Sequence, residues 1–250
     1  MGILDNSLTG WMGLKATKER AADEASRHDS DIGRRLKLEK KKAKKSFKIL
    51  LLGAGESGKS TIIKQMGIVY SSALSEDEPK TRINESTFEL CSTQVQILDV
   101  DNQEPKRKKW LSCFEDVGYM IFVAALPSYD QHTAEGHNAM HEEMMLFDSL
   151  ANGEQFRHKP VIVFLNKLDI FEKKLAVSPL SEYFTDFNGL NTNLCAAATY
   201  FADQFQGINK TRNRHIHIHY TNATDTRTLQ VTMAALQNMI IQENCRSVGL

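Results

Sequence analysis

The sequence predicts an α/β fold in which helices flank a mostly parallel sheet. Two continuous apolar runs, Tyr119–Leu126 and Pro160–Asn166, are typical of strands that helices bury on both faces. Between these runs, apolar residues recur at helical spacing from Met140 to Ala151, which indicates a helix that faces the core. Strands that alternate with helices in this way predict parallel pairing through right-handed crossovers.

Four further segments complete the predicted strands. An apolar run at Phe47–Leu52 comes first, Phe88–Leu90 and Val95–Val100 suggest a hairpin, and His215–Tyr220 alternates strictly. Apolar residues at helical spacing from Leu229 to Ile240 mark a closing helix. The three histidines of the last strand also suggest a metal site, but no acidic or cysteine partner is spaced to complete one. A strand without a metal is therefore the preferred interpretation.

The first strand leads into a glycine-rich turn. Gly53, Gly58, Lys59 and Ser60 stand at the G-x-x-x-x-G-K-[ST] spacing, after an apolar strand and before a predicted helix. Glycines let backbone N–H groups converge on a phosphate chain, the lysine reaches the outer phosphates, and the serine hydroxyl suits Mg²⁺. The following helix adds its positive end. We expect nucleotide contacts from Gly55, Glu56, Ser57, Gly58, Lys59, Ser60 and Thr61, with Ser60 as a metal ligand.

Two later segments predict which base the site accepts. The N-K-x-D segment at 166–169 follows a buried strand, and a buried Asp169 would accept hydrogen bonds from the N1–H and exocyclic amine of guanine, a pair that adenine lacks. The loop 221–224 would offer a backbone N–H to the guanine carbonyl oxygen. Asp99, at the end of another strand, is expected to support the Mg²⁺ shell. The expected base contacts are Asn166, Lys167, Asp169 and Ala223.

The composition is that of an ordinary globular protein. Of the 250 residues, 41% are hydrophobic and 25% are charged, which suits one large domain or two small ones. Basic and acidic residues both total 31, so no global field favours nucleic acid as a partner. No apolar run approaches the ~18 residues of a membrane span, and the first residues do not resemble a secretory signal. The scattered cysteines indicate reduced thiols and a cytosolic protein.

Residues 1–46 differ from the rest and predict a basic helical arm before a domain at 47–250. Nine basic residues and one acid lie between Arg34 and Lys48. Such a segment either docks on a partner or an anionic membrane surface, or forms a solvated, partly frayed helix, and the sequence leaves both open. Gly2 is placed for myristoylation, but Asn6 stands where the pattern requires Ser or Thr.

Together these segments resemble the α subunit of a heterotrimeric G protein. The resemblance covers roughly residues 30–250 and rests on GAGESGKST (53–61), KRKKWLSCFEDV (106–117), SYDQ (128–131), MLFDSLAN (145–152), FLNKLDIFEKKL (164–175), SPLSEYF (178–184) and ATDT (223–226). It implies a Ras-like P-loop GTPase fold with a six-stranded sheet, and GDP or GTP with Mg²⁺ as cofactors. It also implies signal transduction from G-protein-coupled receptors, with Gln103 orienting the attacking water.

The same resemblance implies partners and a location. The expected partners are a G protein βγ dimer and a receptor that contacts the C-terminal helix. The expected location is cytoplasmic, at the cytosolic face of the plasma membrane, with the basic arm as a possible peripheral contact.

Some positions depart from that family. A short linker, residues 67–87, stands in place of an all-helical domain. Asp77 and Lys80 occupy the places of the family's catalytic arginine and Mg²⁺-binding threonine, and Asn102 replaces the glycine that senses the γ-phosphate. Because such an arginine is worth ~10³–10⁵ in rate, we expect slow GTP hydrolysis. The alternative is a pseudo-GTPase that sequesters βγ or a receptor, and the N-K-x-D segment disfavours a third class, a P-loop ATPase or kinase.

Overall fold

Six strands form one sheet in a computed structural model that describes residues 46–70, 83–90, 93–100, 117–212, 214 and 216–248. The strands are β1 (Ser46–Gly53), β2 (Ile83–Leu90), β3 (Thr93–Val100), β4 (Tyr119–Ala125), β5 (Val161–Asn166) and β6 (Ile216–Thr221). Their order is β2-β3-β1-β4-β5-β6, with β2 and β3 antiparallel and with β1, β4, β5 and β6 parallel. The prediction of a mostly parallel six-stranded α/β sheet is therefore confirmed.

The described residues also form five α-helices and two short 3₁₀ turns, which lie between or after the strands. They are α1 (Lys59–Tyr70), a turn at Leu126–Asp130, α2 (Ala139–Ala151), α3 (Leu168–Leu175), a turn at Leu180–Glu182, α4 (Leu194–Gly207) and α5 (Thr226–Val248). Asparagine side chains define two of the helix starts. Asn138 Oδ1 accepts the N–H groups of Met140 and His141, and Asn193 Oδ1 accepts that of Ala196. Asparagine is favoured at such positions because its side-chain oxygen satisfies N–H groups that have no partner within the helix.

Alternate residues of the central strands enter two separate cores, because side chains of a strand point to opposite faces. Leu50 and Phe122 belong to the core that α2, α3 and α4 cover, where Phe122 packs against Phe147 and Phe205. Leu51 and the other alternate residues belong to the core that α1 and α5 cover. The central strands β4 and β5 are buried along their whole length, as their continuous apolar sequences predict.

The carboxyl ends of the parallel strands lie side by side at one edge of the sheet. Ala125 at the end of β4 is in register with Asn166 at the end of β5, and Asn166 is in register with Thr221 at the end of β6. Gly53 at the end of β1 is in register with Val123 of β4. In α/β sheets ligands bind outside this edge, so the fold gathers the predicted motifs where a ligand is expected.

The predicted extent of the 67–87 linker is wrong at both ends. Helix α1 continues through Gly67 to Tyr70, and β2 begins at Ile83, so only residues 71–82, outside the described part of the chain, lie between them. Tyr70 packs against the core that contains Met66, and this contact offsets the ~1 kcal/mol that a glycine costs inside a helix. At the other end, β2 pairs with β3 along its full length, so the predicted hairpin is real and longer than its apolar pattern indicates.

The chain divides into two units between Ser46 and Phe47. The sheet and its helices belong to the second unit, Phe47–Leu250. The predicted basic arm falls almost entirely on residues 1–45, which lie outside the described residues, so the arm stays a prediction. None of the described helices is both long enough and apolar enough to span a membrane.

Candidate functional site

The loop between β1 and α1 requires glycine at both ends. Gly53 has a φ of +152°, and a Cβ there would lie 2.2 Å from a backbone carbonyl oxygen of β4. Gly58 has a φ of +104°, and a Cβ there would lie 2.3 Å from Asn166 Nδ2. Glu56 adopts a left-handed φ of 59° without being glycine, a conformation that costs roughly 1–2 kcal/mol and recurs at functional turns. A Cβ on Gly55 would meet nothing within 4 Å, so the middle of the loop is open.

The chemical groups of this loop suit a phosphate. Lys59 Nζ donates hydrogen bonds to the carbonyl oxygens of Gly53 and Ala54, at 2.9 and 2.8 Å, which holds the ammonium group at the loop. The Ser57 hydroxyl is buried and has no hydrogen-bond partner among the described residues. The first turn of α1 contains no acidic residue, so its positive end is not neutralised there. A cation, a buried hydroxyl and a helix N-terminus together favour an anionic ligand.

The predicted metal ligands are only partly characterised. Ser60 lies exposed in the first turn of α1, with Thr61 half-buried beside it, and Asp99 is buried in β3, one residue before that strand ends. The described residues contain no cluster of three or more His, Cys, Asp or Glu side chains that could hold a metal ion. Mg²⁺ is commonly held by one or two protein oxygens together with phosphate and water. Ser60 and Asp99 therefore stay predicted contributors to a magnesium site.

The Asn166 side chain joins three loops at the carboxyl edge of the sheet. It is fully buried at the end of β5. Its Nδ2 donates to the Ser57 carbonyl oxygen in the phosphate loop at 2.8 Å. Its Oδ1 accepts from the Thr221 hydroxyl at 3.1 Å and from the Ala223 N–H at 3.0 Å. Because every one of these groups is buried or part-buried, losing the amide would leave several polar atoms without partners, at about 1–3 kcal/mol each.

The Ala223 N–H is already engaged in this arrangement. It is the donor that the sequence analysis assigns to the guanine carbonyl oxygen, and here it donates to Asn166 Oδ1. A base that uses the same N–H would have to share or replace this hydrogen bond. Ala223 stays a predicted base contact, and Asn166 Oδ1 would compete with the base for its N–H.

The structure differs from the prediction that the Asp169 carboxylate is buried. Asp169 is half-buried, because it lies in the first turn of a helix that begins at the open edge of the sheet. Lys167 immediately before the helix adopts a left-handed conformation, with φ 62° and ψ 40°, and its side chain makes no capping hydrogen bond. The Asp169 N–H instead donates to Asn222 Oδ1 at 3.0 Å. Asn222 is a site residue that the sequence analysis places in a loop but does not single out.

A buried acid, Glu143 of α2, lies behind the same edge. Its Oε2 accepts the Ala125 N–H at 3.0 Å, and its Oε1 accepts the Ser128 hydroxyl at 3.0 Å. Burial raises the pKa of Glu143 to about 7, against the opposing effects of these hydrogen bonds and of the positive charges on Lys59 and Lys167. The sequence gives no sign that Glu143 is buried, because a glutamate in a predicted helix is usually exposed to solvent.

The structure therefore brings together most of the sites that the sequence predicts. The phosphate loop, the N-K-x-D segment and the 221–224 loop meet through Asn166, and Asn222 connects the last two directly. Gln103 lies outside the described residues and stays a predicted catalytic residue.

The two loop glycines provide a matched test of the phosphate loop. Gly58→Ala should lower the free energy of unfolding by about 1–3 kcal/mol, because it combines an unfavourable φ with a Cβ that collides with Asn166. Gly55→Ala should change it by less than about 0.5 kcal/mol, since nothing lies near that Cβ. Urea denaturation without nucleotide measures both, and equal effects would contradict the described loop geometry.

The pKa of Glu143 predicts how stability varies with pH. Between the ordinary value of 4.5 and about 7, the folded chain binds more protons than the unfolded chain, so stability falls as pH rises through this window. The loss should total about 3 kcal/mol by pH 8. Glu143→Gln should flatten the curve, whereas Glu172→Gln, on an exposed part of α3, should keep the slope of the unmodified chain. Urea denaturation from pH 5 to 8 tests this, and identical slopes for all three chains would disprove it.

Comparison with known proteins matches this chain to G-protein α subunits in every case described below. A family model described as "G-protein alpha subunit" matches residues 78–240. A guanine nucleotide-binding protein subunit alpha of Candida albicans is 41% identical over 172 residues, 68% of this chain and 40% of that protein. The alpha-2 subunit of Neurospora crassa is 40% identical over 173 residues, which cover 68% of this chain and 49% of that protein. The alpha-1 subunit of Saccharomyces cerevisiae is 40% identical over 172 residues, 68% of this chain and 36% of that protein.

This chain matches about half, or less, of the length of these curated relatives. The family match nevertheless covers most of the chain, and it includes the N-K-x-D segment and the 221–224 loop that the structure joins through Asn166. The sheet order and the phosphate loop are consistent with a Ras-like GTPase fold. The chain belongs to the G-protein α-subunit family.

Proposed function

We propose that this chain binds GDP and GTP at the carboxyl edge of its sheet and acts as a guanine-nucleotide-dependent signal transducer. The phosphates would lie in the 53–59 loop, against Lys59, the Ser57 hydroxyl and the start of α1. The base would lie against the start of α3, where the Asp169 carboxylate can accept hydrogen bonds from guanine N1–H and the exocyclic amine. Adenine offers no such pair of donors, so ATP should be rejected.

One observation carries this proposal, the buried Asn166 amide. It hydrogen-bonds the phosphate loop through Ser57 and the 221–224 loop through Thr221 and Ala223. A phosphate site and a base site that share one rigid connection suit a ligand that carries both groups. A phosphate-binding turn alone would not need a buried amide that fixes a second loop.

Ser60 and Asp99 are the residues that would hold Mg²⁺ beside the phosphates. The ion would neutralise negative charge as the terminal phosphate leaves. From this chain, Lys59 would bind the outer phosphates, and Gln103 would orient the attacking water. Hydrolysis should be slow, because Asp77 and Lys80 stand where the family has an arginine and a threonine.

We also propose partners and a location on the basis of family membership. The expected partners are a G protein βγ dimer, which residues 1–46 would contact, and a receptor, which the C-terminal helix α5 would contact. The cluster of basic residues between Arg34 and Lys48 suits an anionic membrane surface, which would place the protein at the cytosolic face of the plasma membrane.

Nucleotide binding is tested with two lysines of the same helix. Lys59→Ala should weaken GDP and GTP binding by about ten- to a hundredfold, because a hydrogen bond to a charged phosphate is worth about 1.5–3 kcal/mol. Lys64→Ala changes an exposed lysine of α1 and should leave binding unchanged. The measurement is equilibrium binding of labelled GDP, with GTP and ATP as competitors. Equal competition by ATP and GTP, or equal effects of the two substitutions, would contradict the proposal.

The second candidate, a pseudo-GTPase that sequesters βγ or a receptor, is favoured by one contrast. The nucleotide-binding residues Lys59, Asn166 and Asp169 are retained, whereas Lys80 replaces the family's Mg²⁺-binding threonine and Asn102 replaces the glycine that senses the γ-phosphate.

Single-turnover hydrolysis of GTP separates the two candidates. We expect the unmodified chain to hydrolyse GTP slowly and Gln103→Leu to be slower still, since the leucine cannot orient water. Gln230→Leu, at an exposed position of α5, is the matched control and should keep the unmodified rate. If the unmodified chain and Gln103→Leu both hydrolyse bound GTP no faster than GTP hydrolyses in buffer, the pseudo-GTPase interpretation replaces the GTPase one.

A further inference from the structure

Asparagine precedes glycine at two places in this chain, Asn152–Gly153 and Asn188–Gly189. Such a pair can react with itself, because the backbone nitrogen of the glycine can attack the side-chain carbonyl carbon of the asparagine. Glycine favours this attack since it has no Cβ to hinder the approach. In a folded chain the reaction also requires that neither reacting group be held in place by other contacts. The two pairs differ in this respect.

The first pair is held by hydrogen bonds on both of its reacting groups. Asn152 Nδ2 donates to Asp148 Oδ1 at 2.6 Å and to a backbone carbonyl oxygen just after α4 at 2.9 Å, and its Oδ1 accepts the Lys210 N–H at 3.0 Å. The Gly153 N–H donates to the Leu150 carbonyl oxygen at 3.1 Å. The asparagine side chain can turn towards the glycine nitrogen only if its own three hydrogen bonds break.

The second pair has one such restraint. Asn188 and Gly189 are both exposed, in the connection between α3 and α4. Among the described residues, the Asn188 carboxamide makes a single hydrogen bond, from Nδ2 to the Asp186 carbonyl oxygen at 3.1 Å. The Gly189 N–H donates no hydrogen bond within the part of the chain that the structure describes. The attacking nitrogen is therefore unengaged, and one exposed hydrogen bond holds the group that it would attack.

The packing around this pair requires its glycine. Phe187 is buried, and a Cβ on Gly189 would lie 2.5 Å from the Phe187 ring. A residue with a side chain would hinder the attack, but it cannot stand at position 189 unless a buried aromatic ring moves. On the other side, Asn191 exchanges hydrogen bonds with Ser181, which fixes the end of the loop. The fold thus keeps a reactive sequence in an exposed loop.

We propose that Asn188 is a site of spontaneous deamidation in the folded protein and that Asn152 is protected from the same reaction. The Gly189 nitrogen loses its proton and forms a bond to Asn188 Cγ, while the side-chain NH₂ group takes up a proton and leaves as ammonia. Water then opens the resulting succinimide ring at either of its carbonyl carbons. One product is aspartate, and the other is isoaspartate, in which the backbone runs through the former side chain. The sum is asparagine and water giving an acidic residue and ammonia, without oxidation or reduction.

Either product changes the charge and the contacts of the loop. The formal net charge of the chain falls from zero by one unit, and the new carboxylate stands two residues after Asp186. A carboxylate has no N–H to donate, so the hydrogen bond to the Asp186 carbonyl oxygen is lost. Isoaspartate also lengthens the backbone between Phe187 and Asn191, two residues that packing and hydrogen bonds hold in place.

The test is peptide mapping of the full chain by mass spectrometry, after incubation for several days at pH 8 in ¹⁸O-labelled water. We expect Asn188 to be converted at least about tenfold faster than Asn152, because three additional hydrogen bonds, each worth about 0.5–1.5 kcal/mol, hold the Asn152 side chain. The peptide with residue 188 should give two labelled products, aspartate and isoaspartate. Digestion in ordinary water ensures that the label records only conversion in the intact chain.

Two variants and an unfolded control complete the experiment. Asn188→Gln should abolish conversion at position 188, because the longer side chain would have to close a larger ring. Asp148→Ala removes one hydrogen bond from Asn152 and should speed conversion of Asn152 while leaving Asn188 unchanged. In guanidinium chloride both pairs should react at similar rates. The inference is overturned if folded Asn152 reacts as fast as Asn188, or if Asn188 stays intact in the folded chain while the unfolded chain reacts.

Discussion

The carboxamide of Asn166 is the interaction on which the site depends. It lies at the end of a strand that is buried on both faces, and its donor and acceptor ends contact different parts of the chain. An amide is suited to this position because Ser57 offers a carbonyl oxygen, whereas Thr221 and Ala223 offer donors. Aspartate would bring two acceptors to a place that needs one donor. The geometry of the phosphate loop and the base-side loop is thereby fixed by a single planar group.

The elements around this amide are constrained by it in turn. Gly58 has no side chain because Asn166 Nδ2 occupies the space that a Cβ would fill. The β5–β6 register aligns Asn166 with Thr221, so that the Thr221 hydroxyl lies within hydrogen-bond distance of the amide. Lys59 is held by carbonyl oxygens of the same loop, which keeps a positive charge in place before any ligand arrives. Ordinary hydrogen bonds of the protein therefore preorganise the two loops, and the hydrogen bond of the Ala223 N–H is the one that a bound base would have to share or replace.

Sequence patterns predicted the fold well because the strands and helices repeat simple periods. Continuous apolar runs identified β4 and β5, and the glycine spacing identified the loop between β1 and α1. The predicted linker is too long because the sequence pattern is weak at both of its ends. At one end a glycine lies inside α1, and at the other end β2 begins with mostly polar residues, so tertiary packing and strand pairing determine the bounds of both elements. Asn222 and Glu143 were missed for a different reason. Both residues act through contacts with residues that are distant in the sequence, and no sequence pattern around either residue predicts such a contact.

Glu143, the acid behind the carboxyl edge of the sheet whose pKa burial raises to about 7, has a thermodynamic consequence for any calorimetric study. Near neutral pH the chain is a mixture of two charge states at Glu143, and the positive charges of Lys59 and Lys167 favour the ionised one. A phosphate group that pairs with Lys59 would weaken this support, so ligand binding would be accompanied by uptake of a fraction of a proton from solution. The heat measured on mixing then contains the ionisation enthalpy of the buffer. Titrations in PIPES and in Tris would report different enthalpies for one and the same complex, and that difference divided by the difference between the ionisation enthalpies of the two buffers would give the number of protons taken up.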